Sequence, residues 1–245
     1  MDSARGDRHV RQLPSVTSVL AVCAHPDDES FGLGAALAAF GAVGASTAVL
    51  CFTHGEGSTL GAGRMELGGI RAAELAAAAG ELGVEHVELF DYPDGGLDRE
   101  PIQQLAKHVC QVADRVRPDI LLVFDEGGIT GHPDHSRATD AAVAFARDNR
   151  LPVLAWAVSQ PVAMTLNQEL GTAFAGRAAR DLDFEVSVDR SRQRKAISRH
   201  VSQATDNPVL LRRLELQADR EVFRWLVAPS EEPQLRRDKW TVAFV

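Results

Sequence analysis

Apolar residues fall in short, nearly unbroken runs, separated by stretches that carry them on one helical face. The runs at 16–24, 46–53, 87–90, 120–124 and 153–158 have strand length and little in-and-out alternation. Such runs predict strands covered on both faces. Between them, 33–40, 66–82, 101–116 and 135–147 read as helices. Pro101 opens one of these and Gly83 stops another, as proline and glycine do at helix starts and ends. Strand and helix alternating in this way predict an α/β fold, a mostly parallel sheet with helices on both faces and right-handed crossovers. Beyond residue 160 the pattern loosens. A strand is expected at 182–188, helices at 190–203 and 208–225, and a closing strand at 240–245. The expected organisation is a polar tail, 1–14, followed by a single domain, 15–245, with a core at 15–160 and a smaller C-terminal subdomain at 161–245.

Composition narrows the function. The chain has 245 residues and a net charge of −8. No basic run suggests a nucleic-acid face, and no apolar stretch approaches the ~20 residues of a membrane span. The first twelve residues are charged and lack the apolar core of a signal peptide, which points to the cytoplasm. Cys23, Cys51 and Cys110 are far apart and form no CxxC pair, so they read as reduced and mostly buried. Lysine is confined to Lys107, Lys195 and Lys239, against abundant arginine and alanine, a bias that fits a GC-rich bacterial genome.

Two segments concentrate metal-type ligands. His25-Pro26-Asp27-Asp28-Glu29 follows the first strand, and His132-Pro133-Asp134-His135 follows the fourth. In an open α/β sheet, ligands bind beyond the carboxyl ends of the strands, where strand order reverses. An order of 3-2-1-4-5 puts these two segments face to face at that point. Two histidines and one carboxylate suit a catalytic zinc with an open position. His25 and His135 are the natural imidazole donors, and Asp28 is three residues from His25. Asp27 is placed to act as a base on water, and His132 to face a developing oxyanion.

These two segments together resemble the PIG-L/LmbE-like family of zinc N-deacetylases. Thr53-His54-Gly55-Glu56, Arg71 to Leu75, Tyr92-Pro93-Asp94-Gly95 and Lys195 to Gln203 are similar to further elements of that family, so the likeness spans 16 to about 205. The resemblance implies a Rossmann-like fold and removal of an N-acetyl group from an amino sugar or glycoconjugate. It implies zinc on His25, Asp28 and His135, with Asp27 as general base and His132 as a positively charged oxyanion stabiliser. Asp134 is implied to orient a histidine ring, and Arg71 and Asp94 to contact sugar hydroxyls. Ferrous iron suits the same ligands. Ile129-Thr130 stands where some thiol-pathway relatives carry a tyrosine.

Other readings stay open. An amidase cutting a larger amide, such as a thiol conjugate, would use the same groups, and so would a metal-binding module without catalysis. A small-molecule substrate is expected, with no nucleic acid and no membrane, and a homo-oligomer is compatible with the sequence. Gly32-Leu33-Gly34 begins like a dinucleotide fingerprint but lacks its third glycine, so NAD binding is not expected. His200 reads as a substrate-pocket residue or as a helix-surface histidine. His54 reads as a pocket wall, Trp156 as core, and 190–199 as a solvated, arginine-rich helix face.

Overall fold

The computed structural model describes residues 12–60, 66–230 and 240–242. Most of the expected tail (1–11), the end of the loop at 54–63 (61–63) and the end of the expected closing strand (243–245) lie outside them. The central strand β1 (Ser18–Cys23) is buried at every position. It pairs in parallel with β2 (Ser46–Thr53) on one side and β4 (Ile120–Phe124) on the other. The sheet continues in parallel to β3 (His86–Tyr92) beyond β2 and to β5 (Val153–Ser159) beyond β4. The order is therefore 3-2-1-4-5 through the parallel part, as the sequence predicts. Beyond β5 come β8 (Arg220–Val227) and β7 (Phe184–Ser187), both antiparallel to their neighbours. The two-residue strand β6 (Gly176–Arg177) pairs with the end of β5.

Because side chains alternate across a strand, β1 feeds two cores. Val19, Ala21 and Cys23 pack with α2 (Gly34–Ala42), α3 (Leu67–Leu82) and α8 (Ser191–Arg199). Leu20 and Val22 pack with α4 (Ile102–Val116) and α6 (Pro133–Asn149) on the other face. Two single-turn helices, α1 (Asp28–Phe31) and α5 (Gly128–Gly131), follow β1 and β4. They bend the chain at the carboxyl edge of the sheet, where the site lies.

The C-terminal part departs from the sequence reading. The expected helix at 208–225 is a shorter helix, α10 (Pro208–Gln217), followed by β8. The backbone turns at Ala218, whose φ is 47°. From there the β-branched and aromatic residues Val222, Phe223 and Trp225 are laid along β5. That pairing covers an edge of β5 that would otherwise present unpaired amides. The helix α7 (Gln160–Leu170) has no counterpart among the elements the sequence predicts. The expected helix at 190–203 is broken at His200 into α8 and α9 (Val201–Ala204). Residues 240–242 form no strand. Nor is 190–199 solvated throughout. Arg190 is buried, and its Nη1 donates to Glu221 Oε1 at 2.5 Å and Gln193 Oε1 at 2.7 Å.

Candidate metal centre and active site

The strand order reverses between β1 and β4, and the segments that follow them meet there. His25 leaves β1 with its ring 4.9 Å from that of His135 and 4.8 Å from that of His132. Asp28 opens α1, and its Oδ2 accepts the Ala24 and His25 amides at 3.0 and 2.9 Å. That leaves Oδ1 toward His135 Nε2, 3.1 Å away. His25 Nδ1 lies 3.0 Å from the same nitrogen. His25, Asp28 and His135 thus converge, with one donor atom each within 4.8 Å of the others.

Tautomers decide what this convergence means. His135 Nδ1 sits 3.0 Å from the Gly128 carbonyl, which can only accept, so Nδ1 carries the hydrogen and Nε2 turns a lone pair into the triad. His25 Nε2 faces Asp94 Oδ1 at 3.0 Å and Asp134 Oδ2 at 3.4 Å. These contacts are electrostatic rather than well-aligned hydrogen bonds, and they place a hydrogen on Nε2. The second lone pair, on His25 Nδ1, then points at the first. Two lone pairs 3.0 Å apart beside a carboxylate require positive charge between them. Burial pulls the His25 pKa down, but Asp134, Asp94 and Asp28 outweigh it and push it up to about 10. In the metal-free chain a proton shared between the two rings would supply that charge. Two imidazole nitrogens and a carboxylate are also a donor set that would hold a divalent ion such as zinc.

Asp27 stands beside the triad in an unusual backbone conformation, with φ 130°. A non-glycine residue there is strained, and two side chains hold it. Arg71 donates from Nη2 to Asp27 Oδ2 at 2.9 Å and to the Pro26 carbonyl, and from Nη1 to the Gly55 carbonyl, both at 2.5 Å. Gly55 has φ 62°, and a Cβ there would overlap the guanidinium. Glu29 Oε2 accepts the Asp27 amide at 2.9 Å. Burial raises the Asp27 pKa, Arg71 opposes it and the Asp28 charge adds to it, leaving it at about 6. Burial raises the Asp28 pKa, but the positive charge held between His135 and His25 outweighs it and keeps that carboxyl well below its ordinary range.

His132 caps α6, its Nδ1 accepting the Asp134 amide at 3.2 Å. The hydrogen of the neutral ring is therefore on Nε2. Burial, then the charges of His25 and His135, hold its pKa below the ordinary histidine value. The resemblance implies a positively charged His132; in the metal-free chain its surroundings act against that charge. Asp134 is fully buried and accepts the Gly95 and Leu97 amides at 2.7 and 3.1 Å, tying the turn after β3 to α6 beside the His25 ring.

Arg71 and Asp94, the residues implied to contact sugar hydroxyls, both line the cavity, and both also hold partners within the chain. Arg71 is spent on Asp27 and two carbonyls. Asp94 Oδ2 accepts the Gly57 amide at 2.9 Å, and Oδ1 faces His25. His200 is fully buried, which corrects the surface alternative, and it does not line the cavity. Its Nε2 lies 2.7 Å from Glu29 Oε1. His54 also stays outside the cavity, 2.8 Å from Asp91. Sequence reasoning missed Glu29 as a brace and Arg213 as a wall residue. Glu29 carried a signal, being the last of three consecutive acids after a strand; Arg213 carried none.

A cavity of about 600 Å³ opens on this cluster, lined by His25, Asp27, Asp28, His132 and His135 among others. Fold and site together define an α/β protein with a candidate metal site, His25, Asp28 and His135, and a further carboxylate, Asp27, beside it. The chain belongs to the PIG-L family, described as GlcNAc-PI de-N-acetylase, whose model matches residues 20–146. Similar curated relatives include proteins named 1D-myo-inositol 2-acetamido-2-deoxy-alpha-D-glucopyranoside deacetylase. The one from Mycolicibacterium vanbaalenii is 35% identical, over 60% of this chain and 61% of its own. The one from Salinispora arenicola is 33% identical, over 51% and 49%. The chain thus matches about half to three-fifths of the length of these relatives. Among solved structures, N,N'-diacetylchitobiose deacetylase from Pyrococcus horikoshii is similar, with a TM-score of 0.64, 22% identity, and 87% of this chain and 85% of that one covered. The same fold occurs in the 4-carboxy-2-hydroxymuconate hydratase GalB of Pseudomonas putida, with a TM-score of 0.64, 20% identity, and 89% and 100% covered. The fold alone therefore does not specify the reaction.

Proposed function

We propose that the chain is a metal-dependent amide hydrolase that removes the N-acetyl group of a 2-acetamido sugar or glycoconjugate. The observation that carries this reading is the convergence of two imidazole lone pairs and the Asp28 carboxylate beside Asp27, on a cavity of substrate size. His25, Asp28 and His135 would hold the ion, and zinc suits the donors, with ferrous iron second. When bound, such an ion polarises a carbonyl and acidifies water. Asp27 takes the proton of the attacking water and returns it to the departing amine, which a carboxylate titrating near neutrality can do. Arg71 and Glu29 hold Asp27 in its strained conformation, so that its orientation is set before substrate arrives. His132 turns its Nε2–H toward the cavity and donates to the amide oxygen as negative charge gathers there. Asp94 and Asp134 keep the hydrogen of His25 on Nε2 and so aim its lone pair at the ion. The names of the curated relatives support an acetamido-sugar substrate.

The test pairs metal analysis with acetate release from 2-acetamido-2-deoxyglucosides. About one divalent ion per chain is expected, lost in His25→Ala and His135→Ala together with activity. Full metal content in both variants, or no hydrolysis of any acetamido sugar by the zinc- or iron-loaded chain, contradicts the proposal.

A further inference from the structure

The cavity wall leading away from the triad is of different chemistry. Phe124 sets its ring against His135, with centroids 5.0 Å apart, and against Trp156 at 5.3 Å. The Arg213 guanidinium lies 5.0 Å from the centroid of the Trp156 ring and donates to the Phe31 carbonyl. Phe31 packs with Leu210. Ile129 and Phe174 complete this wall. Gly32 makes room for it, since a Cβ there would overlap the Phe124 ring and stand 3.2 Å from Trp156. Phe124, Ile129, Trp156, Phe174 and Leu210 are all buried, so the wall belongs to the folded core rather than to a mobile rim.

The larger polar side chains along this wall are held by partners within the chain. Asn207 accepts the Leu210 amide at 2.9 Å and donates to the Gln203 carbonyl at 3.1 Å. Gln203 donates to the Leu60 carbonyl at 3.1 Å and accepts the Ser58 hydroxyl at 2.6 Å. That hydroxyl in turn accepts the Leu60 amide at 3.2 Å. Arg213 donates to Gln217 Oε1 at 2.7 Å as well as to Phe31. Thr59 and Thr130 are exposed, at the cavity's edge. A polyol ring placed here would bury hydroxyls without partners, which is costly. An alkyl or aromatic group would only exchange water for apolar contact.

We propose that the substrate carries an apolar substituent, alkyl or aromatic, seated against Phe31, Phe124, Ile129, Trp156, Phe174 and Leu210, rather than a second polyol. This rests on the hydrolase reading above and adds the substrate class. The substituent reaches the wall either as the aglycone of the sugar or as a longer acyl chain on its nitrogen. Both supply the same chemistry.

The test uses the metal-loaded full chain and two series. One is 2-acetamido-2-deoxyglucosides with methyl, butyl, octyl or phenyl aglycones. The other is the methyl glycoside of glucosamine carrying acetyl, butanoyl or octanoyl groups. Free amine is measured in both, alongside calorimetric binding of octyl glucoside, phenyl glucoside and myo-inositol. At roughly threefold or more per buried methylene, kcat/KM is expected to rise at least tenfold along one series, and that series identifies the source. Phe174→Ser, with metal content and circular dichroism retained, should flatten the rise, and Gly32→Ala should reduce it by swinging Phe124 into the chamber. Flat series with the methyl glycoside still hydrolysed would overturn the apolar assignment and leave the hydrolase intact. If no amide in either series is cut, the hydrolase reading fails by itself and the binding arm decides. Saturable octyl or phenyl glucoside binding weakened by Phe174→Ser then supports the chamber, and binding of myo-inositol alone, or of none of the three, refutes it.

Discussion

Asp27 and Asp28 are chemically identical neighbours that the fold drives apart. Asp28 points at two imidazoles and is held ionised. Asp27 is turned the other way by a backbone with φ 130° and carries a pKa of about 6. Asp27→Asn keeps the shape but cannot take a proton, so it should retain metal and lose ~10²–10⁴-fold in kcat. The sign of the pH effect follows from the same raised value. Below about 6 the carboxyl is protonated, so the metal-free chain should show Asp27 titrating near 6 by carboxyl carbon NMR. A neighbouring dication favours the carboxylate, so loading the metal should move that titration, and the acid limb of activity, downward. An unshifted or upward-shifted titration on loading would contradict the placement of the ion. Arg71 separates two roles by kinetics. A sugar-binding arginine would raise KM when removed. The hydrogen bonds of Arg71 to Asp27, Pro26 and Gly55 predict that Arg71→Ala lowers kcat, about tenfold or more, with the smaller effect on KM. A variant changed only in KM would restore the sugar-contact reading.

Elements matter where they end. α1 is a single turn, too short to be stable alone, yet it holds Asp28, Glu29 and Phe31. It is secured from the far end of the chain. The break between α8 and α9 puts His200 2.7 Å from Glu29, and Gln193 on α8 donates to the Ser30 carbonyl at 3.0 Å. Glu29 therefore links a C-terminal helix break to the amide of Asp27. Glu29→Ala leaves that amide and His200 without an acceptor in a buried place. It should lower both melting temperature and kcat, costing about 1–3 kcal/mol in stability. Glu29→Gln retains an acceptor for the Asp27 amide and should recover most of kcat. Equal kcat losses in the two variants would show that the charge, not the brace, is what matters. The sequence marked the two loops that carry ligands because strand ends and His/Asp spacing are local. It could not mark His200 as a brace, because its partner is 171 positions away.

At the scale of the molecule, the antiparallel extension supports the cavity from behind. Glu221, on β8, accepts from Trp156 Nε1 at 2.6 Å, Arg190 Nη1 at 2.5 Å and Gln217 Nε2 at 3.1 Å. One buried carboxylate thus joins β5, α10, β8 and the start of α8 under the aromatic wall. Removing it strands a buried guanidinium and an indole N–H. Glu221→Ala should cost about 3–5 kcal/mol in chemical denaturation, the usual scale for breaking a buried pair from one side. Metal content measured below the transition should be unchanged, since the triad lies on α1, α6 and the turn after β1. A loss below 1 kcal/mol would show that the network is dispensable. Among the described residues, no helix is long and apolar enough to cross a membrane.

The sequence by itself determined the strands of the parallel sheet, the helices between them and the two ligand-bearing turns. Each depends on short-range pattern: continuous apolar runs for covered strands, helical spacing between them, and polar residues crowded just past strand ends. Its two His/Asp segments also carry the resemblance to the PIG-L family. The tertiary structure alone decided that 220–227 is a strand, because the open edge of β5 outweighs the helical spacing read at 208–225. It alone set the protonation of the histidines, which depends on a carbonyl at Gly128 and carboxylates at Asp94 and Asp134. And it alone showed that Arg71, Asn207, Gln203 and Arg213 are committed to partners within the chain. A residue type announces what a side chain can bind. Whether that capacity is still free is a property of its neighbours, and those are assembled only by folding.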